Sequence, residues 1–140
     1  MNTGDLSMSE QLKITLLVAL GGSLGTLLRH GFNLATLFTP YPLGTLLENI
    51  VGSLLLSLLA GWAASRALST LWAQYGFGVG FCGGFTTMST LAADAVVLSA
   101  ALSPWQAAIY LALSLIGGLA AAWVGYEIGR HVAARAEAEP

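Results

Sequence analysis

The stretch GFGVGFCGGFTTMSTL, residues 76–91, decides how this chain folds, because it is apolar enough for a membrane span yet poorly suited to an unbroken helix. It contains five glycines, four hydroxyl residues and no charge. A break in a membrane helix leaves amides and carbonyls that lipid does not satisfy, so the break must face protein or a cavity. Such breaks at mid-membrane build ion sites from half-helix ends and unwound carbonyls. The alternative is a glycine-rich helix whose Ser and Thr side chains bond back to the preceding turn.

The composition excludes a water-soluble fold. Of 140 residues, 56% are hydrophobic and 9% are charged, and the mean hydropathy is +0.75. A soluble domain carries about 25% charged residues because water must solvate its surface, so we expect a lipid bilayer around this chain. The net charge of -2 provides no basic face for nucleic acid. The single cysteine, Cys82, makes no intrachain disulfide.

Four segments reach the length of about 20 mostly apolar residues that a helix needs to cross a bilayer. They are residues 12–30, 43–67, 71–99 and 105–128. The predicted fold is an all-α membrane protein with four transmembrane helices, the third broken at mid-membrane. The predicted organisation is a polar N-terminus at residues 1–11, a single four-span domain at 12–130 and a polar C-terminal tail at 131–140.

The chain offers no support for catalysis. Its connections are too short for a soluble catalytic domain, and it contains neither an HExxH motif nor a P-loop. We therefore predict that it is not an enzyme. Glycines recur at helical spacing in the first and fourth spans, which predicts close helix packing, since small residues let transmembrane backbones approach.

A few polar residues inside the other spans are candidates for an ion path. Asn49 places an amide, with two donors and an acceptor, in the second span. Glu48 is either an intramembrane carboxyl facing the bundle interior or an interfacial residue near the start of that span. Arg29 either caps a vestibule or anchors the first span at the headgroups. Tyr110 and Ser114 share one face of the fourth span, as a polar track or as packing residues.

Three stretches together resemble the Fluc/CrcB fluoride channel family. They are GGSLGTLLR at residues 21–29, PLGTLLENIVGS at 42–53 and GFCGGFTTMST at 80–90. They occur in the family's order, one in each of the first three spans, and the similarity covers essentially residues 12–130. Each motif alone is weak, but the three together are specific.

The resemblance implies a dimer of two four-span subunits packed antiparallel in the cell inner (plasma) membrane, with two pores along the subunit interface. Fluoride would leave the cytoplasm passively through these pores. The interrupted third spans would meet at the dimer centre. There the backbone carbonyls of Gly83 and Thr86 match the positions that hold a structural sodium ion in the family.

The resemblance also implies which residues form the anion path. The implied fluoride pathway passes Asn49, Met88, Ser89, Thr90, Leu91, Tyr110 and Ser114. The implied vestibule contains Arg29 and Glu48. Fluoride is small and strongly hydrated, so amide and hydroxyl donors suit a path that must bind it weakly enough for release.

Two departures from the family's pattern bear on the path. The family usually has phenylalanines at positions 88 and 91, whose ring edges contact the anion. Met88 and Leu91 have no aromatic quadrupole with a positive edge, although the polarizable thioether of Met88 substitutes in part. Glu48 replaces an apolar residue; its ionised form would repel fluoride and its protonated form would donate a hydrogen bond to it.

The charge distribution is a third departure. The side with both termini carries four basic residues, and the other side carries only Arg29, which by the positive-inside rule places the termini in the cytoplasm. The four are Lys13, Arg66, Arg130 and Arg135. A homodimer of oppositely inserted subunits calls for almost no bias. The partner is therefore either a second copy of this chain or an oppositely oriented paralogue.

Two other functions compete with the fluoride channel. One is a proton-coupled small multidrug transporter of four spans, for which Glu48 is the one favourable feature; that reading gives the interrupted third span no role. The other is a non-conducting partner subunit of a heterodimeric channel, which the missing phenylalanines favour.

Overall fold

The computed structural model describes residues 7–66 and 70–138, and the described chain is helical throughout apart from short connections. The first six residues, part of the second connection and the last two residues of the predicted tail lie outside the described residues. The helices are α1 (Met8–Ala35), α2 (Leu43–Arg66), α3 (Trp72–Cys82 with the further turn Gly83–Phe85), α4 (Met88–Ala101) and α5 (Pro104–Ala138).

Four helical stretches are long and apolar enough to cross a membrane, which confirms the prediction of an all-α protein with four such spans. They are Met8–Ala35, Leu43–Ala64, Trp72–Ala101 and Pro104–Ala136. The third combines α3 and α4. Large apolar side chains cover the outside of the bundle, with Met88 74% and Leu119 72% exposed. An outer surface of this kind suits lipid or a neighbouring subunit rather than water.

Helix α1 begins at Met8, four residues before the predicted start of the first span. Ser7 and Glu10 form a capping box: the Glu10 N–H donates to the Ser7 hydroxyl (3.3 Å), and the Ser7 N–H donates to the Glu10 carboxylate (3.0 Å). This reciprocal pairing satisfies two of the free amides at the helix start. Residues 8–11, predicted as part of the polar N-terminus, therefore belong to the helix.

Helix α5 is also longer than predicted. Pro104 occupies its first turn, where the missing N–H costs nothing, and the Ser103 hydroxyl accepts a bond from the Gln106 N–H (3.3 Å). The helix runs for 35 residues and includes most of the predicted polar tail. Ala, Arg and Glu favour helix, and neither glycine nor proline occurs between Gly129 and Pro140. At about 1.5 Å per residue, α5 exceeds the bilayer core of about 30 Å.

Glycines permit the closest helix contacts, as their spacing predicted. Helix α1 packs along α3, and α2 packs along α5. A Cβ atom on Gly25 would overlap the carbonyl oxygen of Phe81, and one on Gly129 would overlap the carbonyl oxygen of Leu58. Backbone therefore lies against backbone at both crossings. The first contact fixes α3 against α1, and the second fixes α2 against α5.

Most of α3 is wound as a π-helix, Trp72–Cys82, which the sequence did not indicate. Phenylalanines stack along it, with ring centroids 5.1 Å apart for Phe77 and Phe81 and 5.9 Å apart for Phe81 and Phe85. Phe85 is fully buried and meets Phe32 of α1 edge to face (5.5 Å). These rings fix the end of α3, where the helical winding stops.

Candidate functional site

The helical winding stops for two residues between Phe85 and Met88. Thr86 (φ -84°, ψ 157°) and Thr87 (φ -151°, ψ 124°) are both extended. The Thr86 N–H still donates to the Cys82 carbonyl (2.9 Å), and the Thr86 hydroxyl donates to the same carbonyl (3.0 Å). The backbone groups of Thr87 lie outside either helix and need partners from elsewhere in the protein.

Asn49 of α2 supplies those partners. The Thr87 N–H donates to the Asn49 side-chain oxygen (2.8 Å), and the Asn49 side-chain amide donates to the Thr87 carbonyl (3.0 Å). The side chain thus pairs with the backbone of Thr87 as a neighbouring strand would. Of its two N–H donors, one is used here. The second has no partner among the described residues.

Thr87 also caps α4, and this role draws in two of the predicted path residues. Its side-chain oxygen accepts from the Thr90 N–H (3.1 Å), as an N-cap residue does. The same oxygen lies 3.0 Å from the Thr90 hydroxyl and 3.2 Å from the Ser89 hydroxyl. Ser89 and Thr90 therefore bond to the cap itself.

A groove of about 330 Å³ runs beside the interruption, between α2, α4 and α5. Four of the seven predicted path residues line it: Asn49, Met88, Leu91 and Ser114. Ser89, Thr90 and Tyr110 do not line it. Because Met88 is the first residue of α4, the positive end of that helix dipole lies at the groove.

Ser114 also lines the groove with an unused hydrogen-bonding group. Its side chain is 5% exposed, and its hydroxyl oxygen has no hydrogen-bonding partner among the described residues. Buried hydroxyls are nearly always paired. An unpaired one on the wall of a groove is therefore available to a water molecule or an ion there.

Tyr110 lies one turn before Ser114 on α5 and is 1% exposed. It packs with Leu91 and Leu98, and its hydroxyl donates to the Asp94 carboxylate (3.1 Å). Asp94 was missed from the sequence. The signal was present, because Asp94 is the one charged residue between positions 67 and 126. An isolated carboxyl in a span is functional by default.

Glu48 of α2 and Arg29 of α1 are neighbours. Glu48 is 0% exposed, so it is an interior residue and not an interfacial one. One of its oxygens accepts from the Asn33 amide (3.4 Å), and the same amide also donates to the Arg29 carbonyl (3.1 Å). Arg29 is half-buried and interacts with Glu48 electrostatically, although no basic group among the described residues comes within ion-pair distance of Glu48.

Gly83 and Thr86 line a second groove of about 430 Å³ on the outer face of the bundle. Gly83 is exposed, and a Cβ atom added to it would meet nothing within 4 Å. The described residues contain no group of three His, Cys, Asp or Glu side chains that would hold a metal ion. A cation here would depend on backbone carbonyls, and one chain offers those of Gly83 and Thr86. Such a set fits a hard cation only when further oxygens join it.

These features define a multi-pass helical membrane protein with a largely apolar groove, containing a few polar side chains, at an interrupted helix. The chain matches the family described as CrcB-like protein, Camphor Resistance (CrcB), over residues 16–126. It belongs to this CrcB family, as the three motifs predicted.

Relatives in the family carry the name of a channel. The chain is 46% identical over 132 residues to "Fluoride-specific ion channel FluC 2" of Halalkalibacterium halodurans, covering 94% of this chain and 97% of that protein. It is 43% identical over 122 residues to the protein of the same name in Bacillus subtilis, covering 87% and 92%. It is 40% identical over 116 residues to "Fluoride-specific ion channel FluC" of Gloeobacter violaceus, covering 80% and 92%.

Proposed function

We propose that this chain forms a fluoride-specific channel through which fluoride leaves the cytoplasm passively. Family membership and the names of relatives up to 46% identical support the substrate. The observation that carries the assignment to a site is the groove where Asn49, Met88, Leu91 and Ser114 meet the interrupted helix. A channel of this kind is not an enzyme, since it changes no covalent bond.

The groove has the chemistry that a fluoride path needs. Two neutral donors replace water around the anion: the second side-chain N–H of Asn49, whose first is used by Thr87, and the Ser114 hydroxyl, which has no partner among the described residues. Neither carries a fixed charge, so the ion is bound weakly enough to leave. Met88 and Leu91 form the apolar wall in place of aromatic rings. Ser89 and Thr90 act through the cap on α4, and Tyr110 supports the wall beside Leu91.

The groove is open on one side of a single chain, so we propose that a second subunit closes it. Met88, which lines the groove, is 74% exposed, and the nearby Val79 is 55% exposed. An antiparallel partner, either a second copy or an oppositely oriented paralogue, would cover this apolar surface and complete two pores. The membrane is proposed to be the cell inner membrane.

The same dimer would bring two interruptions together at its centre. We propose that the carbonyls of Gly83 and Thr86 from both subunits hold a structural sodium ion there. Two-fold symmetry doubles the number of oxygen ligands that one chain offers. When bound, the cation would supply a positive charge that offsets the cost of bringing anions into a low dielectric.

Fluoride efflux from proteoliposomes tests the proposal. The chain alone is reconstituted with fluoride inside, a potassium ionophore clamps the voltage, and a fluoride electrode records release. We expect fluoride release without chloride release from matched chloride-loaded vesicles. Failure to release fluoride with the chain alone and also with a co-expressed paralogue would overturn the proposal. Proton-coupled uptake of a cationic dye would favour the transporter in its place.

A further inference from the structure

Glu48 is a fully buried carboxyl with an unused oxygen. Its side chain is 0% exposed, and its Oε1 atom has no hydrogen-bonding partner among the described residues. Its other oxygen has one long bond, from the Asn33 amide at 3.4 Å. A carboxylate in this position would lack the donors that normally satisfy a buried charge. The side chain therefore needs either a positive partner or a proton.

The ionisable neighbours of Glu48 come from three helices and do not neutralise it. They are Arg29 of α1, Asp94 of α4 and Tyr110 of α5. Arg29 attracts the carboxylate from beyond ion-pair distance, whereas Asp94 repels it. Tyr110 donates its hydroxyl to Asp94 at 3.1 Å, so its proton is already committed. Glu48 thus has one distant guanidinium and one further carboxyl as charged neighbours, in a site with little access to water.

A cavity provides a way for protons to reach this cluster. It has a volume of about 250 Å³, lies at the connection between α1 and α2, and is lined by Asn33, Thr36, Tyr41 and Asp94 among others. Asn33 lines the cavity and donates to Glu48, and Asp94 lines the same cavity. The Asn33 side chain therefore lies between water in the cavity and the buried Glu48 carboxyl.

We propose that Glu48 is a proton-binding site that controls ion flow, and that Asn33 and Asp94 separate it from this cavity. When the side chains between the cavity and Glu48 move, a hydronium ion from the cavity gives its proton to the Oε1 atom of Glu48; an O–H bond forms there, and a water molecule remains. The bound proton removes the negative charge of Glu48. Without the proton, Glu48 carries a negative charge beside Asp94.

The effect of this proton on fluoride flux rests on the proposed channel function. Tyr110 donates to Asp94, and Ser114, one helical turn further along α5, lines the groove. In the proposed path, fluoride moves between the cavity and the groove along this face of α5 and so passes the carboxyl cluster. A net negative charge there repels fluoride and lowers flux, and a bound proton removes the repulsion. Flux should fall as pH rises, by up to about tenfold per pH unit, as for a site that must hold one proton.

Fluoride efflux at a series of equal internal and external pH values tests the effect on flux. The proteins compared are the wild type, Glu48→Gln and, as a matched control, Glu127→Gln, which changes an exposed carboxylate paired with Arg130 at 3.3 Å. Release from protein-free vesicles is subtracted, because hydrogen fluoride crosses lipid by itself. We expect flux to fall from pH 6 to pH 9 for the wild type and Glu127→Gln and to stay constant for Glu48→Gln. A flat wild-type profile, or a wild-type profile in Glu48→Gln, would overturn the proposal.

Infrared spectroscopy of the reconstituted protein tests the proton site without any flux. A protonated carboxyl gives a carbonyl band separate from that of a carboxylate. We expect such a band at pH 6.5, its loss at alkaline pH, and its absence from Glu48→Gln. If Glu48→Gln fails to assemble, the wild-type titration decides alone, and the absence of the band at pH 6.5 overturns the proposal. A chain that shows the band and conducts no fluoride would refute the channel and leave the proton site standing.

Discussion

Replacing Asn49 by leucine removes both hydrogen bonds that pair α2 with Thr87, 2.8 Å and 3.0 Å long. Thr87 is 7% exposed, so water has little access to its freed N–H and carbonyl. Each buried group left without a partner costs about 1–3 kcal/mol, so the pair costs about 2–6 kcal/mol. Since about 1.4 kcal/mol is a factor of ten, the native arrangement at the interruption should become about 30-fold less populated, or rarer still.

The assay is fluoride efflux per reconstituted protein, together with thermal unfolding in detergent. We expect Asn49→Leu to lower the unfolding temperature and to abolish most of the flux, since it also removes a donor from the groove. Gln106→Leu is the control, because it removes one amide that accepts from the Tyr41 hydroxyl (3.0 Å) away from the interruption. Undiminished flux in Asn49→Leu, or equal losses in both variants, would refute the role of Asn49.

Three further changes test the helix packing, the fluoride path and the sodium site separately. Gly25→Ala should lower the unfolding temperature, because its Cβ atom would overlap the Phe81 carbonyl and overpacking costs about 1–3 kcal/mol; Gly31→Ala, which meets nothing within 4 Å, should not. Ser114→Ala should leave the unfolding temperature unchanged, since no bond is lost, and lower fluoride flux severalfold; unchanged flux would remove Ser114 from the path. Replacing sodium by a large organic cation during purification should lower flux and thermal stability, and sodium should restore both; insensitivity to sodium would contradict the cation site.

Much of the fold followed from the pattern of apolar residues. A bilayer requires about 20 apolar residues for each helix, so four such runs were readable without any contact between them. The ends of the helices were less readable. Helix α1 begins at Met8 because Ser7 and Glu10 bond to each other. Helix α5 extends to Ala138 because good helix formers follow the apolar run. Hydropathy records neither effect.

The candidate site was readable in part. Asn49, Met88, Leu91 and Ser114 were singled out from motifs and line one groove. Their roles in conducting fluoride remain predictions. Asp94 was overlooked although its isolated charge was visible in the sequence; its bond to Tyr110, 16 positions along the chain on another helix, was not. The π-helical winding of α3 carried no signal, since a glycine-rich run permits either winding.

The sequence alone determined the membrane setting, the four spans and the family, because composition, apolar run lengths and local motifs require no knowledge of contacts. Tertiary structure decided what Asn49 and Glu48 do. Asn49 is a polar residue in a span until α2 packs beside Thr87, where its amide replaces a missing backbone partner. From the sequence, Glu48 is either interfacial or interior; in the folded protein it is fully buried and accepts a bond from Asn33. Hydrogen bonding and burial depend on residues that are distant in sequence, so they appear only when the helices are packed.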